Sequence, residues 1–146
     1  MKKHVKYAIH LIALFICCNG FGQAKVLDSL IQKINNNDAY LVLAKTMSPR
    51  VHSDAGNKII KIGKEATPEL IRILDSQNQG IIAHFILSKI WKENWNEEVC
   101  CKIVSNGKVE IITINGLKIY IENNNLSSKI DDLINNKEKW KKFLES

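Results

Sequence analysis

The sequence predicts an α+β fold, predominantly α, in which stacked helices are followed by a small antiparallel β-meander and a C-terminal helix. Three observations predict it. Apolar residues recur at helical spacing from residue 26 to residue 92, two Asn-Gly pairs bracket a β-branched run, and residues 127–146 return to helical spacing. A chain of 146 residues with 45% apolar composition supports one small domain with an ordinary core.

Residues 1–24 are set apart as an expected export signal. MKKHVK is a basic leader, and YAIHLIALFICC is an apolar run too short to span a bilayer comfortably. Gly20-Phe21-Gly22 and Gly22-Gln23-Ala24 offer the small-x-small spacing that a signal peptidase needs, so cleavage is expected after Gly22 or Ala24. Two other readings stay open: a lipoprotein carrying fatty acid on Cys17 or Cys18, and an uncleaved anchor. Ile16 is bulkier than the residue that usually precedes a lipidated cysteine.

Removing Lys2, Lys3 and Lys6 with the signal takes the formal charge from +6 to +3, with both signs interspersed. No block of like charge remains to track a phosphate backbone, which argues against nucleic acid as a partner. Cys100 and Cys101 are the cysteines of the remaining chain. On a strand, neighbours point to opposite faces and do not bridge each other, so no disulfide framework is expected.

The remaining chain divides into a helical region, 25–96, and a meander with a C-terminal helix, 97–146, packed together as one domain. Val26, Leu27, Leu30, Ile31 and Ile34 place a first amphipathic helix, which Asn35-Asn36-Asn37 stops. Asp38 is positioned to cap a second helix over DAYLVLAKTM, ended by Ser48-Pro49. Val51, Ala55, Ile59 and Ile62 form the stripe of a third, which Gly63 terminates. Pro68 falls within the first turn of the next segment, where a missing N–H costs little, and Leu70, Ile71 and Leu74 carry it to Asp75. GIIAHFILSKIWKENW follows as another helix, with Trp91 and Trp95 one turn apart.

Overlaying 51–62 on 79–90 superposes Ala55 on Ala83, Ile59 on Leu87 and Ile62 on Ile90, a period of 28 residues. The joint between the helices, with Ile62, Gly63, Ala66, Pro68, Leu70 and Leu74 in register, resembles the short HEAT-like repeats of phycobilisome-lyase-type proteins over about residues 38–92. Ile60 stands where that pattern usually has glycine. The resemblance implies HEAT-like stacked helices presenting a broad protein-binding face. A small helical bundle with accidental periodicity is the alternative.

Asn106-Gly107 and Asn115-Gly116 suit two-residue turns in which both central residues take positive φ, so VCCKIV, VEIITI and LKIYIE are expected to pair as three strands. Ile130, Leu133, Ile134, Trp140 and Leu144 then give the C-terminal helix an apolar side to cover the sheet, with Ser127 or Ser128 as its cap.

No nucleophile elbow, phosphate-binding loop, dinucleotide fingerprint or zinc-helix motif occurs, and Glu97-Glu98 and Asp131-Asp132 are neighbours whose side chains diverge. No catalytic residue, cofactor or metal ligand is therefore nominated. His52, His84, Trp91 and Trp95 are the candidate interaction residues, with a hydrogen-bonded interior place as the other reading of His84 and a core place as the other reading of the tryptophans. The expected function is an exported binding module, periplasmic or extracellular, monomeric, with a protein partner. It would meet a membrane only if lipidated at Cys17 or Cys18.

Overall fold

A computed structural model describes residues 24–43, 47–92, 104–105 and 109–146. The expected signal, Trp95, the Cys100-Cys101 pair and the Asn106-Gly107 turn lie outside these residues.

Helix α1 spans residues 24–31, and a short 3-10 turn follows at Asn36–Asp38. Strands β1 (Ala39–Leu43) and β2 (Met47–Val51) pair antiparallel, with Leu41 opposite Pro49. Helix α2 (Asp54–Ile62), a 3-10 turn at Gly63–Ala66, and helices α3 (Thr67–Arg72) and α4 (Gly80–Ile90) come next. Strands β3 (Val104–Ser105), β4 (Glu110–Ile114), β5 (Leu117–Glu122) and β6 (Asn125–Ser127) form a sheet in that order, and helix α5 (Ile130–Glu145) closes the chain.

The expectation of a predominantly helical α+β fold of HEAT-like stacked helices is overturned at residues 38–51. Where a helix over DAYLVLAKTM was expected, a hairpin forms. Ala-Tyr-Leu-Val-Leu is a run of strand formers as well as an apolar stripe, and Pro49 holds Ser48 extended. In a two-stranded sheet both strands are edges, the place where a proline is tolerated. Asp38 accordingly caps no α-helix: its carboxylate accepts from the Asn35 N–H (3.1 Å) while the Asn35 side chain accepts from the Asn37 N–H (2.9 Å), closing the 3-10 turn. Val51 ends β2 rather than opening α2, so the overlay of 51–62 on 79–90 joins a strand end to a helix start. The helix-pair unit is thus missing its first member.

Other elements follow the sequence more closely. Ser53 caps α2, its Oγ accepting from the Gly56 N–H (3.2 Å), and Gly63 ends it at φ +77°. Pro68 sits in the first turn of α3. Asn115 and Gly116 take φ +45° and +82° and join β4 to β5 with Ile114 opposite Leu117, the geometry that a two-residue turn requires. The sheet has a fourth strand, β6, that the meander expectation lacked. Asn123 and Asn124 both adopt positive φ and reverse the chain there. The expected serine cap of α5 is also corrected: Lys129 is the cap residue, while Ser127 and Ser128 donate to the carbonyls of Tyr120 and Lys118 on β5.

Helix α4 is the centre. Residues 80–88 are all buried, with Ile81, Ile82, Phe85, Ile86 and Leu87 fully so, and α2, α3, β1 and β2 pack around it. Each of these side chains contributes about 2 kcal/mol by leaving water. On the sheet, Ile112, Ile114, Leu117 and Ile119 share one face and complete the core with Leu133 and Trp140 of α5.

A helix buried on every side must satisfy its end groups inside the protein. At the start of α4 the Gly80 N–H donates to the Ser76 carbonyl (2.7 Å), the Ala83 N–H to the Gln79 carbonyl (2.9 Å), and the Ile81 and Ile82 N–H groups to Asn36 Oδ1 (3.1 and 3.2 Å). The exchange is reciprocal, because Gln79 Nε2 donates to the Ile31 and Ile34 carbonyls (2.7 and 3.0 Å) where α1 ends. Asn36 is further tied by Nδ2 to the Gln77 carbonyl (2.6 Å).

Asn36→Ala should lower stability by about 1–2 kcal/mol and Gln79→Ala by about 1 kcal/mol, read as urea midpoints. The double variant should fall short of the sum, because the two amides hold the same pair of helix ends. Gly80→Ala should cost about 1–3 kcal/mol in the same assay, since an added Cβ would overlap the Leu74 carbonyl and the Leu133 side chain.

Candidate interaction surface

The candidate interaction residues do not gather at one place. His52 is exposed between β2 and α2 and meets Tyr40 edge-on, with ring centroids 5.9 Å apart. Trp91 is half-buried just beyond α4: its Nε1–H donates to Thr67 Oγ1 (3.1 Å), Lys64 Nζ lies 4.2 Å above its ring, and Phe143 meets it edge-on. Trp95 is outside the described residues. Trp140 is fully buried.

His84 belongs to no surface, which corrects its place among the interaction residues. It is fully buried on α4, with Trp140 Nε1–H donating to its Nδ1 (3.0 Å) and its Nε2 within 2.8 Å of the Ile114 carbonyl. An indole nitrogen only donates, so Nδ1 must be bare and the proton sits on Nε2, which donates to Ile114. The imidazole is therefore neutral and fastens α4 to α5 and to the β4–β5 turn. Burial pushes its pKa down from 6.5 to about 4; Lys139 adds to the shift and the bond to Ile114 opposes it. Protonation would set two N–H donors against each other at Nδ1. Such a group is a structural latch rather than a proton donor for solvent chemistry.

A concave surface lies instead beside α1. Between α1 and the α2–α3 joint runs a groove of about 620 Å³ with Val26, Leu27, Ile62 and Pro68 on its walls. Asp28, Glu65 and Glu69 line the same groove; Glu69 pairs with Arg72 (2.7 Å), while Asp28 and Glu65 form no ion pair among the described residues. A second groove, of about 480 Å³, shares Val26 and Ile62 with the first and is lined by Lys25, Lys33 and Lys58 beside Leu30. Val26 is 57% exposed, the most open of the large apolar side chains described.

The surface arises because α1 buries only part of its apolar arc. Leu27 and Ile31 are buried in the core, whereas Val26 sits off that line. The five apolar positions of the α1 segment span a wider arc than one buried stripe needs, and that excess was the available signal. Glu65 and Ile62 come from a joint distant in sequence, and no local pattern ties them to α1. Among the described residues no group of three His, Cys, Asp or Glu side chains is placed to hold a metal ion, and no helix is long and apolar enough to cross a membrane.

His84 makes stability pH-dependent. The unfolded chain protonates it near pH 6.5 and the folded chain only near 4, so its contribution is present above about pH 6.5 and is lost as the pH falls towards 4. The loss amounts to about 3 kcal/mol. Urea unfolding at pH 7 and pH 4.5 measures it, and a His84→Met variant should lack that part of the acid dependence. No family model matches the chain, and neither a curated protein nor a solved structure shows significant similarity to it.

Proposed function

We propose that the protein is an exported binding module that recognises another protein through the α1 surface and carries out no catalysis of its own. The observation that carries this reading is the exposed ridge of Val26 and half-buried Ile62, flanked by two charged grooves. Apolar centre and charged rim is the anatomy of a protein-recognition patch, in which the buried centre supplies affinity and the rim supplies orientation. Both grooves are open channels beside a helix, a shape better suited to a protein surface than to enclosing a small substrate.

Export rests on the basic leader, the apolar run and the small-x-small sites of residues 1–24, and it places the module in the periplasm or outside the cell. A scaffold, an inhibitor and an immunity protein blocking an exported toxin all use such a surface.

The test expresses the full-length chain with a C-terminal tag in a Gram-negative host, followed by gentle cross-linking and mass spectrometry. The expected result is an N-terminus at Gln23 or Lys25 and a recurrent cross-linked protein whose capture falls at least about tenfold with Val26→Asp. A bound small molecule with no protein, or capture indifferent to Val26→Asp, overturns the reading. Fatty acid on Cys17 or Cys18 would move the protein to a membrane surface.

A further inference from the structure

We propose that the α1 surface is self-complementary and that the partner it fits is a second copy of this chain. The inference rests on the protein-binding reading above and names the partner. In a two-fold dimer the same patch serves both protomers, so whatever flanks one side of the axis meets whatever flanks the other. Such a patch must therefore carry its own complement across a shared centre.

The α1 surface has that layout. Val26 and Ile62 are common to both grooves and form the centre. Asp28 and Glu65 lie in one groove, where Glu69 is already paired with Arg72, and Lys25, Lys33 and Lys58 lie in the other. Rotation about an axis through Val26 and Ile62 lays the acidic groove of each protomer over the basic groove of the other, with the apolar centres in contact. Opposite signs on the two sides of the ridge let one patch act as its own complement across a two-fold axis. Most of these charges are exposed, so their attraction is screened by salt and steers the encounter, while the apolar centre resists dissociation.

The test measures oligomeric state by sedimentation equilibrium on full-length protein purified as its host processes it, at low and at high salt. The unaltered chain should be dimeric and should loosen at high salt. Lys33→Glu with Lys58→Glu makes both flanks acidic, and Asp28→Lys with Glu65→Lys makes both basic. Each double variant alone should weaken association at least about tenfold, and mixing the two should restore it, because every acidic flank then faces a basic one. All four positions are exposed, so the circular dichroism of the folded chain should stay unchanged. A chain that is monomeric at every concentration tested, or a dimer indifferent to both reversals and to salt, overturns the proposal. If the chain is monomeric yet a different protein is still captured in a Val26-dependent way, self-association fails while the protein-binding reading survives; loss of both results removes both.

Discussion

The fold depends on one helix being buried on every side. Residues 80–88 of α4 give none of their side chains to solvent, so every surrounding element has an apolar face turned towards it. That arrangement supplies much of the hydrophobic stabilisation of a small chain, but it leaves peptide groups at the start of α4 that water cannot reach. The amide of Asn36 meets two of them, and His84 meets Trp140 and Ile114 within the same interior. Polar side chains here are fitted to particular deficits, because an unmet buried donor costs about 1–3 kcal/mol. The exceptions are few among the described residues: Ser88 Oγ, Asn115 Oδ1 and both amide ends of Asn136 are buried without a partner.

Where structure is decided locally, the sequence was legible. Gly63 with its positive φ, Pro68 in the first turn of α3 and the Asn115-Gly116 turn are set by backbone sterics, which do not depend on what surrounds them. Residues 39–51 were misread because Tyr40, Leu43 and Met47 recur at helical spacing while Ala39 and Leu41 alternate as in a strand, and only the partner strand decides which period the segment adopts. Strand β6 was missed for a related reason. Asn123-Asn124 lacks the glycine that marks a turn most clearly, and Asn125–Ser127 gains its pairing from β5 rather than from any propensity of its own.

The site was less legible than the fold. The histidines and tryptophans drew attention by residue type, yet the interior took His84, and Trp91 is occupied by Thr67, Lys64 and Phe143. Val26 drew none, because an aliphatic residue at helical spacing reads as core. The charged residues around it looked like ordinary solvated positions, and their separation by sign appears only when α1 is laid against α2 and the joint that follows. Burial decides which residues are available, and burial is a property of the assembled chain.

The exchange between Asn36 and the start of α4 also bears on when the protein can fold. The Asn36–Ile81 contact links residues 45 apart in sequence, and closing a loop of that length costs about 3 kcal/mol in chain entropy before any contact returns it. Neither α1 nor α4 completes its hydrogen bonding until that closure, so the two helix ends become ordered in one step rather than in succession. A chain still emerging, with Asn36 free and residues 77–82 not yet arrived, lacks the contact that commits it to the compact state.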